Sequence, residues 1–225
     1  MFHTIKLIEN DSVLTEINSI FDRAEFSEGL FSGDFIDQNR KNNCEMICDQ
    51  YYSKCDNLVN DEIDNCFTLR DLTSARKVSK LIFSEYKDGM YYKNHYDHCA
   101  MDSIRTDYSC TLFLNNPEDY EGGELVIDLG SVKIPFKLKS GEVLLYPTKY
   151  RHQVKPVTSG KRRVCVFWLE SIVNDPIIRE IVQTLSNTFL NKHDEIKKVD
   201  VELWEILQSI HIDLKRNYGN HDSKL

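Results

Sequence analysis

The segment from Val78 to Leu169 constrains the fold most, because short apolar runs alternate there with turn residues at strand spacing rather than helical spacing. The runs are Val78–Tyr86, Tyr91–His95, Tyr108–Leu114, Glu124–Asp128, Val132–Leu138, Val143–Tyr146, Gln153–Val157 and Arg163–Leu169. Between them stand Asp88-Gly89, Asn115-Asn116-Pro117, Gly122-Gly123, Gly130-Ser131, Ser140-Gly141, Pro147 and Ser159-Gly160, all residue types that break or turn a strand. Eight runs match the strand number of a double-stranded β-helix, or jelly roll. The expected fold is therefore mainly β with flanking helices.

The flanks carry helical periodicity. Val13, Leu14, Ile17, Ile20, Phe21 and Ala24 repeat at i, i+3/i+4 behind a candidate N-cap at Asp11-Ser12. Met46 to Ile63 repeats in the same way, which predicts a helix over Cys44–Cys66 packed on the outside of the sheet. After Pro176, one stripe runs through Ile177, Ile181, Val182 and Leu185, and a second through Leu203, Trp204, Leu207 and Ile210. The organisation expected is a helical and irregular support region over 1–77, a β core over 78–171, and a C-terminal helical extension over 172–225. A dimer through that extension is compatible with the sequence, which leaves the oligomeric state open.

Charge and composition remove some functions. The net charge of −8 opposes binding to a nucleic-acid backbone, which needs a basic surface. No apolar run approaches the roughly 18 residues of a membrane span. The first residues, Met1 to Asn10, lack the apolar centre of a signal peptide. Seven cysteines, an odd number without framework spacing, point to free thiols and a cytoplasmic setting.

Three residues suggest chemistry. His95 and Asp97 are two apart, so on one strand both side chains face the same way. His152 follows a strand that ends at Pro147, on what reads as a loop. Two imidazoles and a carboxylate form the facial triad of non-haem Fe(II) oxygenases, which leaves half of the metal's coordination sphere open. His98 is a competing imidazole, out of phase with His95. Beyond the turn at Ser159-Gly160, Arg162 shares a strand face with Val164, Val166 and Trp168. Three apolar partners place that face inside, where an arginine needs an anion such as a dicarboxylate. The alternative has Arg163 facing inward, or Arg162 paired with a protein carboxylate.

Taken in order, longer motifs surround these residues. They are Phe26-Ser-Glu-Gly29, Lys41-Asn42-Asn43, Tyr86-x-x-Gly89-x-x-Tyr92-x-x-His95-x-Asp97, Arg105 to Leu114, Asp119-Tyr-Glu-Gly-Gly-Glu-Leu125, and His152-x-Val-x-Pro-Val-Thr-x-Gly160-x-Arg162, followed by Phe167-Trp168. In these the chain resembles the Fe(II)/2-oxoglutarate-dependent dioxygenases of the prolyl 4-hydroxylase type, and within them the bacterial PKHD-type hydroxylases. The resemblance implies His95, Asp97 and His152 as catalytic iron ligands, and Arg162 as the anchor for the distal carboxylate of 2-oxoglutarate. It implies Tyr86 as a residue lining the co-substrate pocket. Where many prolyl hydroxylases have a further tyrosine, this chain has Phe113, which cannot donate a hydrogen bond. Thr111, on the same strand face, is the candidate substitute.

The implied cofactors are Fe(II), 2-oxoglutarate and O₂, with ascorbate as a reductant. The implied reaction releases succinate and CO₂ and hydroxylates an unactivated C–H, foremost in a prolyl residue of a peptide or protein. Segment 26–43 is a candidate flap over the site. Two rivals stand beside this reading. One is a small-molecule hydroxylase or halogenase-like relative, the latter disfavoured because Asp97 is present. The other is a non-catalytic cupin-like metal-binding module, disfavoured by Arg162.

Overall fold

The computed structural model describes residues 1–29 and 40–220. In chain order the elements are β1 (His3–Lys6), α1 (Asp11–Phe21), β2 (Phe26–Glu28), β3 (Lys41–Asn42), β4 (Cys44–Met46), α2 (Gln50–Asn65), α3 (Phe67–Thr73), β5 (Ala75–Val78), β6 (Ile82–Tyr86), β7 (Tyr91–His95), β8 (Ala100–Met101), β9 (Ile104–Arg105), β10 (Tyr108–Phe113), β11 (Tyr120–Gly122), β12 (Leu125–Asp128), β13 (Lys133–Phe136), β14 (Glu142–Pro147), β15 (Arg151–Val154), β16 (Val157–Gly160), β17 (Arg162–Ser171), α4 (Pro176–Val199) and α5 (Val201–Tyr218).

Two antiparallel sheets make the jelly-roll core. The larger runs β1-β14-β10-β17-β6-β4-β2, with β5 also paired to β17, and the smaller runs β13-β12-β15-β7-β3. Strand alternation divides the apolar residues between two clusters. On β17, Cys165, Phe167 and Leu169 join Ile17, Phe21, Val59 and Leu69 of α1, α2 and α3 in the cluster behind the larger sheet. Val164, of the opposite face, joins Phe113, Leu125, Ile127 and Leu144 in the cluster inside the roll, with Val166 packed against it. β10 is buried along its whole length and β17 nearly so, because each has side chains on both faces of the larger sheet covered.

Local chemistry shifts several boundaries. The Asn10 side chain, not Asp11 or Ser12, caps α1 by accepting from the Ser12 amide. Helix α2 begins only after Asp49, whose carboxylate accepts from the amides of Tyr51 and Tyr52. Cys44–Met46, expected to be helical, instead pairs with β6 and β2, because hydrogen bonding to a sheet edge outweighs helical spacing there. The expected strand Val78–Tyr86 is two, β5 and β6, separated where the Ser79 amide donates to the Trp168 carbonyl. The expected flap over 26–43 is a strand at Phe26–Glu28 and another at Lys41–Asn42, and residues 30–39 lie outside the described residues. β1 and α3 carry no expectation from the sequence.

At the C-terminal end, Asp175 caps α4 ahead of Pro176, and Asp200 caps α5. Helix α4 buries Val182, Gln183 and Ser186, whereas α5 buries no residue. Among the described residues no helix is long and apolar enough to cross a membrane.

Candidate active site

His95 closes β7 and His152 is the second residue of β15, and the two are direct register partners. Register alone brings their rings to 4.3 Å between centroids. His152 therefore sits on a strand, not on the expected loop. Asp97 lies two residues beyond the end of β7 rather than on it. Its Oδ1 is 3.6 Å from His95 Nε2 and 3.5 Å from His152 Nε2. Among the described residues, these three form the one group of His, Cys, Asp or Glu side chains with metal-ligand spacing, their ligand atoms all within 4.8 Å of one another.

The surroundings fix each ligand atom. His95 Nδ1 lies 2.8 Å from the Lys93 carbonyl, and His152 Nδ1 lies 3.1 Å from the Tyr150 carbonyl. A carbonyl only accepts, so each Nδ1 carries the hydrogen and each Nε2 keeps its lone pair for a metal. Asp97 Oδ2 accepts from Ser109 Oγ at 2.7 Å and from Trp168 Nε1 at 2.9 Å, which turns Oδ1 toward the imidazoles. Tyr92 stacks on the His95 ring at 3.6 Å and 12°, fixing its plane. Burial pushes His152 below its ordinary pKa and so keeps it neutral. Burial would raise the Asp97 pKa, but His152, His95 and Ser109 outweigh it and hold the carboxyl well below the usual range. Two imidazoles with Nε2 lone pairs free and a carboxylate are the donor set of a facial Fe(II) triad.

A cavity of ≈ 60 Å³ joins this triad to Arg162, Tyr86 and Thr111, all of which line it. Arg162 is 1% exposed, with its guanidinium carbon 5.0 Å from the Tyr86 ring centroid and 5.4 Å from that of Phe113. Its Nε and Nη1 have no hydrogen-bond partner among the described residues. Arg163 points to the opposite face, where Nε donates to Glu85 at 2.9 Å and Nη2 pairs with Asp22. Of the two arginines, then, Arg162 faces inward and lacks a carboxylate. A buried guanidinium without an anion is costly, so the cavity suits an anionic ligand. The Tyr86 phenol stays protonated, because burial raises its pKa against the opposing charge of Arg162.

The structure thus brings His95, Asp97, His152, Arg162, Tyr86 and Thr111 around one cavity. His98 is outside the ligand group, and its carbonyl accepts from Thr106 Oγ1. The sequence reading missed Ser109 as a partner of Asp97 and Tyr92 as a stacking partner. Only the spacing of Tyr92, three residues before His95, offered a signal.

Comparisons with known proteins agree with this geometry. The sequence model of the 2OG-Fe(II) oxygenase superfamily matches residues 81–170. A PKHD-type hydroxylase of Gloeothece citriformis is 38% identical over 184 residues, which cover 81% of this chain and 84% of that one. One from Rippkaea orientalis is 31% identical over 226 residues, covering 97% and 100%. The solved structure of a prolyl hydroxylase of Trichoplax adhaerens, in complex with a peptide fragment of the hypoxia inducible factor oxygen degradation domain, shares the fold. It superposes with a TM-score of 0.52 at 16% identity, covering 76% of this chain and 83% of that one. This chain belongs to the 2OG-Fe(II) oxygenase superfamily and, within it, to the PKHD-type hydroxylases.

Proposed function

We propose that the protein hydroxylates a prolyl residue of a peptide or protein, consuming 2-oxoglutarate and O₂ and releasing succinate and CO₂. The reaction balances as R–H + O₂ + 2-oxoglutarate → R–OH + succinate + CO₂. The observation that carries the reading is a buried, anion-seeking Arg162 in the same cavity as the His95–Asp97–His152 group. A metal-binding module without catalysis has no use for that guanidinium.

His95, Asp97 and His152 would hold Fe(II), which supplies the O₂ activation that side chains alone cannot. The Lys93 and Tyr150 carbonyls aim the imidazoles, and Ser109 and Trp168 aim the carboxylate. Arg162 would grip the distal carboxylate of 2-oxoglutarate and so orient its other end toward the three ligands. Tyr86 and Thr111 would pack along the co-substrate. Burial of His95 and His152 shields the ligand atoms from bulk solvent. A peptide substrate is supported by the peptide-bound prolyl hydroxylase that shares the fold. We assign ascorbate as the reductant on the same family grounds, and a cytoplasmic location in keeping with seven free cysteines.

Purified protein given Fe(II), O₂ and 2-oxoglutarate is expected to form succinate, slowly without substrate, and to add one oxygen atom to host peptides followed by mass spectrometry. Arg162→Gln is expected to lose succinate formation while still binding metal. His95→Ala is expected to lose the metal, and His98→Ala to keep it. Succinate no higher than in a no-enzyme control would overturn the enzymatic reading.

A further inference from the structure

We infer that Tyr120 is a second donor to the distal carboxylate of 2-oxoglutarate, taking the role that Phe113 cannot. The inference rests on the proposed role of Arg162. Residue 113 is the position at which the family resemblance calls for a tyrosine. The structure supplies a phenol from a different strand, β11, beside the Arg162 side chain.

Three buried polar atoms are left unsatisfied together. They are Nε and Nη1 of Arg162 and Oη of Tyr120, and none has a hydrogen-bond partner among the described residues. Arg162 is 1% exposed and Tyr120 3% exposed, so neither faces bulk solvent. Gly123 shows how close the two side chains are. It has φ +67°, and a Cβ built there would lie 3.0 Å from Arg162 Cδ and 3.1 Å from Tyr120 Cε2. Both side chains therefore pass the same glycine, and the Gly122-Gly123 pair that reads as a turn in sequence is also the space that lets them meet.

Tyr120 is held in place from its other side. Lys137 Nζ donates to the Tyr120 carbonyl at 2.6 Å and lies 4.1 Å from the ring centroid. Burial raises the phenol pKa, with Arg162 opposing it, so the hydroxyl keeps its proton as a donor at neutral pH. A carboxylate offers two oxygens with about four lone-pair sites. One carboxylate can therefore accept from the Nε and Nη1 atoms of Arg162 and from the O–H of Tyr120, and it also neutralises the guanidinium. A lone water would satisfy hydrogen bonds but leave the charge uncompensated.

Binding measured without turnover tests this. Full-length Mn(II)-loaded protein is titrated anaerobically with 2-oxoglutarate and with 2-oxobutyrate, which lacks the distal carboxylate. The wild type is expected to prefer 2-oxoglutarate, and Arg162→Gln to erase the preference. Tyr120→Phe is expected to weaken 2-oxoglutarate about tenfold to hundredfold, the range of one hydrogen bond to a charged group. Binding of 2-oxobutyrate and of Mn(II) should be unchanged. The phenylalanine variant removes one unpartnered buried hydroxyl and keeps the ring, so its thermal unfolding should match the wild type. If Arg162→Gln erases the preference and Tyr120→Phe keeps it, Tyr120 is not a donor while the functional reading stands. If Tyr120→Phe weakens both acids and Mn(II) alike, its role is structural and the inference fails. If Arg162→Gln keeps the preference, the functional reading fails and takes this inference with it.

Discussion

Adjacent arginines in this protein do opposite work because a strand alternates its faces. Arg163 meets Glu85, Asp22 and Asn18 behind the larger sheet and ties α1 to β6. Arg162 sits among aromatic rings inside the roll, and two of its nitrogens have no partner among the described residues. Replacing a buried charge that lacks a partner by an apolar group is neutral or stabilising, while removing one member of a buried pair strands the other. Arg162→Met is therefore expected to leave the ligand-free protein as stable as before or up to about 1 kcal/mol more stable, and to erase its preference for 2-oxoglutarate over 2-oxobutyrate. Arg163→Met is expected to cost about 3 kcal/mol, since Glu85 would stay buried and keep, among the described residues, only Lys87 as an ion-pair partner. Urea midpoints measure both, and equal losses for the two variants would contradict the assignment of faces. The same separation of stability from function marks a site kept for its ligand rather than for the fold.

Among the elements, the β7–β15 pair sets the chemistry and the α4–α5 pair carries a pH sensitivity. Pairing His95 with His152 makes the metal site a consequence of register, so a slip of one residue would send one imidazole to the outer face. On α5, His211 lies near the Ser186 hydroxyl, with Nε2 and Oγ 3.0 Å apart, and against the Phe189 ring of α4. Burial, with help from Lys215 and against Asp71, pushes its pKa down to about 4. The unfolded state then binds more protons than the folded one between the ordinary histidine pKa of about 6.5 and that lowered value. Stability from this group is intact above the upper value and declines as pH falls toward the lower. Amide exchange in α5 should accelerate as pH drops from 7 to 5, after correction for the intrinsic rate, and His211→Asn should flatten that dependence. An unchanged profile in the variant would show that another group controls the pairing.

Across the whole molecule, the ligand set joins the two sheets. His95 and His152 belong to the smaller sheet, while Asp97 is anchored by Ser109 and Trp168 of the larger one. Metal bound at all three closes the roll, so it should stabilise the folded state by about 2.7 kcal/mol at a hundredfold excess over Kd. Mn(II) is expected to raise the unfolding temperature, EDTA to reverse the rise, and Asp97→Ala to abolish it. A shift that survives Asp97→Ala would place the metal elsewhere. Much of this architecture was legible in the chain. The short apolar runs from Val78 onward, the His95-x-Asp97 spacing and the apolar neighbours of Arg162 depend on local repetition, which sequence preserves. The strand at Cys44–Met46 was not legible, because its helical spacing is overruled by partners brought in from β2 and β6. Nor was the reach of Tyr120 toward Arg162, which depends on the empty space at Gly123. By itself the sequence determined the strand period, the ligand types and the burial of one face of β17, since these follow from the alternation of side chains along a single segment. Only the tertiary structure decided which donors converge on the Asp97 carboxylate and which phenol stands beside Arg162, because those contacts join residues far apart in the chain through sheet register.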